Sequence, residues 1–136
     1  MILLDTNVLS ELTKSNPSTR VVTWLESNEP MLALSTVTLA ELRYGVARLP
    51  DGKRKKSLLR FWEATRDRFR GRIFAFDERA AEIYGDMAAE AEKRGQRLNV
   101  ADAQIAATAL VHRMPVATRD IGDFKASGVT VVNPWQ

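Results

Sequence analysis

The 136-residue chain contains no cysteine and a single histidine, His112. Without cysteine, disulfides, thiol catalysis and cysteine-based zinc sites are all excluded. With one histidine, a Ser-His-Asp triad or a site with several histidine ligands is nearly excluded within one chain. Acid–base or metal chemistry must therefore depend on aspartate and glutamate.

Long apolar runs, repeats and low-complexity tracts are also absent. No apolar run approaches the length that crosses a membrane, and the start of the chain turns acidic too early for a signal peptide. We therefore expect a cytoplasmic protein that does not bind membranes. The length suggests one domain, residues 1–136, and 45% hydrophobic residues suffice for a sizeable core. A net charge of +3 permits a nucleic-acid partner without requiring one.

The chain begins with a short apolar run that ends at an acid. Met1 to Leu4 shows no alternation of apolar and polar residues, which is typical of a strand buried on both faces of a parallel sheet. Asp5 follows directly, and the carboxyl edge of an open α/β sheet is where such folds bind ligands. The sequence therefore predicts Asp5 as one wall of a carboxylate pocket.

Four further apolar runs follow, and helical patterns separate them. The predicted strands are Met1–Leu4, Met31–Leu34, Ile73–Phe76, Met114–Thr118 and Val129–Val132. The predicted helices run over Asn7–Lys14, from a cap at Ser18 to about Asn28, from a cap at Ser35 or Thr36 to about Leu49, over Lys53–Arg70, from a cap at Asp77 to about Arg94, and from a cap at Asn99 to His112. Strands that alternate with helices predict an α/β/α sandwich around a mostly parallel sheet of about five strands.

Asp102 is the acid that is hardest to explain as a solvated surface residue. Ile105, Ala106 and Ala109 lie three, four and seven residues further along its predicted helix, so they share a face with it. An acid that heads an apolar stripe is expected at the rim of the core. The alternative is a capping role, because Asn99 and Asp102 have the spacing of a capping box and an acid in the first turn suits the helix dipole.

Other acids stand where a parallel sheet could bring them to the same place. Asp5, Asp120 and Asp123 follow strands, and each has an alternative interpretation as a turn or cap residue. Glu41 lies in a helix near its start, where an ordinary surface residue would look the same. Because the carboxyl ends of parallel strands meet along one edge, Asp5, Glu41, Asp102 and Asp120 can converge there.

A converged cluster of acids has a physical consequence. Two like charges about 4 Å apart repel by roughly 4 kcal/mol at an effective dielectric near 20. Several such pairs would rival the whole stability of a domain, about 5–15 kcal/mol. The cluster must therefore take up protons, pair with arginine or bind cations, and carboxylate ligands select hard ions such as Mg2+ or Mn2+. Such ions can orient a water, lower its pKa and stabilise charge on a phosphate.

Five short motifs together resemble a known family. They are MILLDTNVL at 1–9, AEL at 40–42 with Gly45, ADAQIAATA at 101–109, ATRD at 117–120 and NPW at 133–135. In order and spacing they are similar to PIN domains, in particular to the VapC toxins of type II toxin–antitoxin systems and their FitB-like branch. The resemblance covers nearly the whole chain.

This resemblance implies a metal-dependent ribonuclease that hydrolyses RNA phosphodiesters with a metal-activated water and without a covalent intermediate. The implied catalytic and metal-binding residues are Asp5, Glu41, Asp102 and Asp120, with the Thr118 hydroxyl as a polar helper. Asp123 is a fifth acid whose role varies among family members. The resemblance further implies homodimers and an antitoxin whose tail blocks the acidic groove. In FitB-like members the antitoxin is a ribbon-helix-helix protein, and operator DNA is bound by the joint complex.

Two other functions remain open at the level of sequence. A phospho-accepting α/β domain of the receiver or phosphatase type also uses Asp and Mg2+ at strand ends. Such phosphatases have a second Asp two residues after the first, where this chain has Asn7. Receivers need an acid pair and a late strand-end lysine, and neither is clear here. The second alternative is a non-catalytic module that binds a cognate antitoxin and, with it, operator DNA.

Basic side chains are concentrated between Lys53 and Arg72. They either hold an RNA backbone beside an acidic metal site or form a soluble, charge-rich helix face. Arg43 and Arg119 lie next to proposed site acids. These two arginines either bind phosphate or neutralise the cluster.

Overall fold

The computed structural model describes every residue from 1 to 136. The strands are β1 (Ile2–Leu4), β2 (Leu32–Ser35), β3 (Ile73–Phe74), β4 (Val116–Ala117) and β5 (Val131–Val132). The helices are α1 (Thr6–Glu11), α2 (Thr19–Asn28), α3 (Thr36–Ala47), α4 (Lys53–Arg68), α5 (Glu78–Lys93), α6 (Val100–Val111) and α7 (Ile121–Lys125), and a 3-10 helix spans Glu29–Met31. All strands are parallel and form one sheet in the order β3-β2-β1-β4-β5.

Successive side chains of the central strands enter two separate cores, because a strand presents them to opposite faces of the sheet. On one face, Leu3 of β1 packs with Ile105 of α6 and Phe124 of α7. On the other face, its neighbour Leu4 packs in the cluster that includes Val8 of α1. Helices cover both faces of the sheet, which confirms the predicted α/β/α sandwich. None of these helices has both the length and the apolar character that crossing a bilayer requires.

The sheet grows in one direction from β1 to β3, and then β4 returns to the other side of β1. Open α/β sheets bind ligands outside the strand carboxyl ends at such a switch point. Leu4 of β1 pairs with Ala117 of β4. The residues that follow this pair, Asp5 and Thr118, therefore flank the crevice between the two strands.

The predicted caps are confirmed by side-chain hydrogen bonds. Ser18, Ser35, Asp77 and Asn99 each accept the backbone N–H of the residue three positions later, so each begins its helix as an N-cap. Gly95 follows α5 with φ +69°, as expected of a glycine that closes a helix.

Several predicted boundaries are wrong. Met31 belongs to the 3-10 helix and not to β2, because Pro30 in the first turn favours a helical start over a strand. Its side chain is 55% exposed. The three later strands shorten to two residues each, since only those residues pair with a neighbouring strand. The predicted spans that shorten are Ile73–Phe76, Met114–Thr118 and Val129–Val132. Helix α1 ends at Glu11 rather than Lys14, and α7 lies where the sequence pattern predicts no helix.

Candidate active site

Asp5 lies at the carboxyl end of β1 and is the N-cap of α1. Its Oδ1 accepts the backbone N–H of Thr6 at 2.8 Å, and its Oδ2 accepts the Thr118 hydroxyl at 2.7 Å. The residue is only 3% exposed. The pKa of Asp5 is raised to about 6: burial is the largest cause, the hydrogen bonds from Thr118 and Thr6 partly offset it, and the charges of Glu41 and Asp120 add to it. Asp5 therefore both caps a helix and forms a wall of an acidic cleft.

A hydrogen-bond network joins Asp5 to Asp120. Thr118 follows β4 and is fully buried, and its hydroxyl oxygen accepts the Asp120 N–H at 3.0 Å. The Asn7 amide donates to the Asp120 carboxylate at 3.2 Å and to the Thr118 hydroxyl oxygen at 3.4 Å. The Thr118 hydroxyl donates its proton to Asp5, so Thr118 links the end of β1 to the loop after β4 that carries Asp120.

Glu41 reaches the same region from α3. It is half-buried, and its carboxylate accepts a hydrogen bond from the Thr6 hydroxyl. Thr6 is the first residue of α1, so this contact joins the start of α1 to α3. The local sequence is that of an ordinary surface residue, but this contact places Glu41 in the site.

Asp102 lies in the first turn of α6, above the predicted apolar stripe. The three residues of the stripe, Ile105, Ala106 and Ala109, are fully buried. Asn99 accepts the Asp102 N–H at 3.0 Å. No hydrogen bond from another side chain or the backbone returns to the Asp102 carboxylate, so only half of the capping box forms and the carboxylate is free.

Two acids of the cleft, Asp5 and Asp102, have a raised pKa, and the pKa of Asp102 is raised more. The pKa of Asp102 is raised to about 7, mainly by burial and then by the charges of Asp5, Glu41, Asp120 and Asp123 in that order. The carboxyl group therefore prefers a proton or a cation at neutral pH.

The four acids line one open cleft at the switch point. The other lining residues are Thr6, Asn7, Ser10, Glu11, Lys14, Arg119 and Trp135. Asp123 does not line this cleft. It lines a neighbouring pocket that also includes Asp102, so the structure separates the fifth acid from the other four.

A model of the PIN domain family matches residues 2–127. The chain belongs to the PIN domain family. This match confirms the family that the five motifs predicted.

Curated relatives of this PIN domain include Toxin FitB of Neisseria gonorrhoeae, which is 48% identical over 137 residues and covers 99% of both chains. VapC ribonuclease Y4jK of Sinorhizobium fredii is 42% identical over 138 residues, which are 100% of this chain and 99% of the relative. The solved structure of FitAB bound to the IR36 DNA fragment matches with a TM-score of 0.92 at 48% identity. That match covers 100% of this chain and 96% of its counterpart.

The ligands available in this PIN domain suit a hard divalent cation. The four cleft acids offer only carboxylate oxygens, which Mg2+ and Mn2+ prefer. In the present side-chain positions, no group of three or more acidic or histidine side chains could hold an ion by itself. Mg2+ does not require such a cage, because it keeps several waters and binds through one or two carboxylates together with substrate phosphates. The residues therefore fit a partly hydrated ion.

Two residues of the cleft are not indicated by the sequence pattern. Asn7 holds Asp120 in place, although in the sequence it marks only the position where phosphatases have an acid. Glu11 is 5% exposed, and it binds Lys14 Nζ at 2.8 Å and the Ser18 N–H at 2.8 Å. These two hydrogen bonds lower the pKa of Glu11. An acid three residues before a lysine is also an ordinary surface pattern, so the sequence does not distinguish Glu11.

Proposed function

We propose that this PIN domain is a metal-dependent endoribonuclease that hydrolyses RNA phosphodiesters and acts as the toxin of a toxin–antitoxin pair. The observation that carries the proposal is the convergence of Asp5, Glu41, Asp102 and Asp120 on one open cleft. The names of two relatives, a toxin and a VapC ribonuclease, support the same function.

Asp5 and Asp102 are the residues that would hold the cation, because burial gives both carboxylates a preference for a neutralising partner. Glu41 and Asp120 complete the wall and would bind the same ion or the waters around it. A bound Mg2+ or Mn2+ would supply Lewis acidity toward the phosphate and lower the pKa of the attacking water. Thr118 orients Asp5 through the buried hydrogen bond between them.

The partners follow from the same assignment. We propose that the protein forms homodimers, pairs with an antitoxin of the ribbon-helix-helix class and binds operator DNA only as the joint complex. The solved structure of FitAB bound to a DNA fragment supports DNA binding by a joint complex. We place the protein in the cytoplasm, where its RNA substrate is made.

The phospho-accepting alternative fits this chain less well. Receiver domains have the strand order 2-1-3-4-5, whereas the order here is 3-2-1-4-5. Asn7 stands where a phosphatase of that type has its second Asp, and its amide is engaged with Asp120. The cleavage assay described next distinguishes the ribonuclease from a non-catalytic module that binds an antitoxin and DNA.

Purified protein without antitoxin should cleave single-stranded RNA with Mg2+ or Mn2+ and lose this activity in excess EDTA. Asp5→Asn and Asp102→Asn should each lower the rate at least about a hundredfold, because loss of an outer-shell partner alone typically costs 10–100-fold. The matched control is Asp86→Asn, which changes an exposed carboxyl on α5 outside the cleft and should keep the wild-type rate.

Robust cleavage in EDTA, or full activity of both cleft variants, would rule out this mechanism. No cleavage by the wild type with either metal would favour the non-catalytic module.

The same variants separate toxicity from expression load in cells: the wild type should arrest growth, the cognate antitoxin should relieve the arrest, and Asp5→Asn should be harmless.

A further inference from the structure

Arg119 is a cation in the acidic cleft, and its charge adds, after the hydrogen bonds from Lys14 and Ser18, to the causes that lower the pKa of Glu11. The Arg119 side chain lines the cleft, yet it forms no ion pair. Two acids of the same cleft are engaged with other residues: Glu11 binds Lys14, and Asp120 accepts the Asn7 amide. If Arg119 served only to neutralise the acids, its guanidinium should contact one of them. The first of the two roles left open by the sequence, phosphate binding, therefore fits better.

The indole of Trp135 holds the Arg119 guanidinium in place. The Cζ atom of Arg119 lies 5.1 Å from the centre of the Trp135 ring, which is cation–π distance. Trp135 is half-buried and packs against the core on the α1 and α2 face of the sheet, so the ring itself is fixed. The Arg119 backbone N–H donates to Asn7 Oδ1 at 3.4 Å. The residue is thus held at its backbone and at its guanidinium.

We propose that Arg119 binds a phosphate of the RNA strand in the cleft and that Trp135 positions it for this contact. The proposal rests on the proposed ribonuclease function. The contact with Trp135 uses no N–H group of the guanidinium as a hydrogen-bond donor to a side chain, so these groups remain available as a fork that matches two phosphate oxygens. A polyanion that approaches four acids requires positive charge in addition to a metal ion. Arg119 provides this charge, whereas Lys14 is already paired with Glu11.

RNA binding without turnover tests the role of Arg119. We would measure the fluorescence anisotropy of a short labelled single-stranded RNA of mixed sequence, with Asp102→Asn protein in Mg2+, over a range of salt concentrations. In this background, Arg119→Ala should weaken binding roughly tenfold through the loss of a charge-assisted hydrogen bond. It should also flatten the slope of log affinity against log salt by about 0.7, the value for one phosphate contact on a single strand. Arg119→Lys keeps the charge but not the forked donor geometry, so its RNA affinity should lie between those of the parent and Arg119→Ala.

The matched control for this measurement is Arg79→Ala. Arg79 is exposed on α5, forms no ion pair and lies outside the cleft, so its loss should leave the affinity and the salt slope at the parent values. Thermal denaturation of each variant identifies those that remain folded.

A double-mutant cycle tests whether Trp135 acts through Arg119. Trp135→Leu should weaken RNA binding about threefold when Arg119 is present, as expected for loss of a partly exposed cation–π contact. It should have no effect when Arg119 is already alanine, because the two changes remove the same interaction. Trp135→Phe keeps an aromatic face and should restore most of the loss. A merely structural role of Trp135 would give equal losses in both backgrounds and would overturn the positioning role.

Unchanged affinity and salt slope in folded Arg119→Ala would overturn the phosphate contact. If the wild type still cleaves RNA in that case, the ribonuclease function stands without it. RNA that is neither bound nor cleaved would overturn both.

Discussion

At the scale of single residues, the two perturbed carboxyls differ in how they are supported. Two hydrogen bonds partly offset burial at Asp5, whose pKa is about 6. The Asp102 carboxylate accepts none, and burial raises its pKa to about 7. Both acids have folded-state pKa values above the unfolded value of 3.8. Each therefore stabilises the metal-free fold at low pH and ceases to do so as the pH rises through its folded-state pKa.

Asp102→Asn should stabilise the metal-free protein more at pH 8 than at pH 5. From pH 5 to about pH 7 the Asp102 carboxyl is protonated in the folded protein and ionised in the unfolded chain. The wild type therefore loses stability as the pH rises, whereas the asparagine variant has no proton to lose at this position. The folded-state pKa of about 7 lies about two pH units above pH 5, so at most about 2.7 kcal/mol is lost between the two pH values. Asp102 is half-buried, so solvent screening reduces the expected difference to about 1–2 kcal/mol.

Urea unfolding in EDTA at the two pH values measures this difference. Asp86→Asn is the control and should stay within about 0.5 kcal/mol of the wild type at both, as surface changes usually do. An Asp102→Asn protein with the same stability gain at both pH values would contradict the assigned cause.

The site residues differ in how far their sequence neighbours reveal them. Asp5 and Thr118 follow short apolar runs, and Asp102 heads a buried stripe, so local pattern is enough to single them out. Glu41 depends on a contact with the Thr6 hydroxyl, 35 residues away in the chain. Asn7 likewise reaches Asp120 across 113 residues. No local periodicity records such contacts, because they arise only when the sheet forms.

At the scale of elements, the basic segment divides into two parts. The arginines from Arg66 to Arg72 form ion pairs with Asp67 and Glu29. The first turn of α4 is basic and contains no acid, its one ion pair joins Lys55 to the exposed Asp51 at 3.5 Å, and the preceding Gly52 gives no side-chain cap. Cations at the start of a helix lie at the positive end of its dipole. This end of α4 is therefore electrostatically unfavourable on its own.

Lys53→Glu should raise the free energy of unfolding by about 0.3–1 kcal/mol, because it exchanges an unfavourable charge at the helix N-terminus for a favourable one. The opposite-end control is Lys93→Glu in the last turn of α5, which should lower stability by a similar amount. Urea unfolding at low salt measures both. A lower free energy of unfolding for Lys53→Glu would contradict the claim that the cation at the N-terminus of α4 is unfavourable. The expectation concerns stability and holds whether or not this surface binds RNA.

The elements that sequence does not predict are the shortest. Helix α7 has five residues, and only Phe124 among them is buried, which is too little to show a helical period. The late strands pair over two residues each, so their apolar runs extend past the hydrogen-bonded ladder into loops. Helices α2, α3, α5 and α6 are longer and begin at a side-chain cap, and their predicted bounds agree with the structure to within a few residues.

At the scale of the whole molecule, the strand order creates the site. Asp5 follows β1 and Asp120 follows β4, and these strands are neighbours only because the chain returns past β1 after β3. Helices α3 and α6 then bring Glu41 and Asp102 to the same edge. Parallel topology thus gathers four acids that are far apart in the chain. Burial raises the pKa of Asp5 and of Asp102, and the charges of the neighbouring acids add to it, so the cleft favours a proton or a cation.

The most direct test of this account is a crystal of the protein soaked in Mn2+, with an anomalous difference map collected at the manganese edge. We expect a peak in the acidic cleft with carboxylate oxygens of Asp5 and Asp102 at about 2.0–2.3 Å, and no such peak in crystals of Asp102→Asn. Anomalous density elsewhere, or none within reach of Asp5 and Asp102 at saturating Mn2+, would contradict the claim that the converged acids form a metal site.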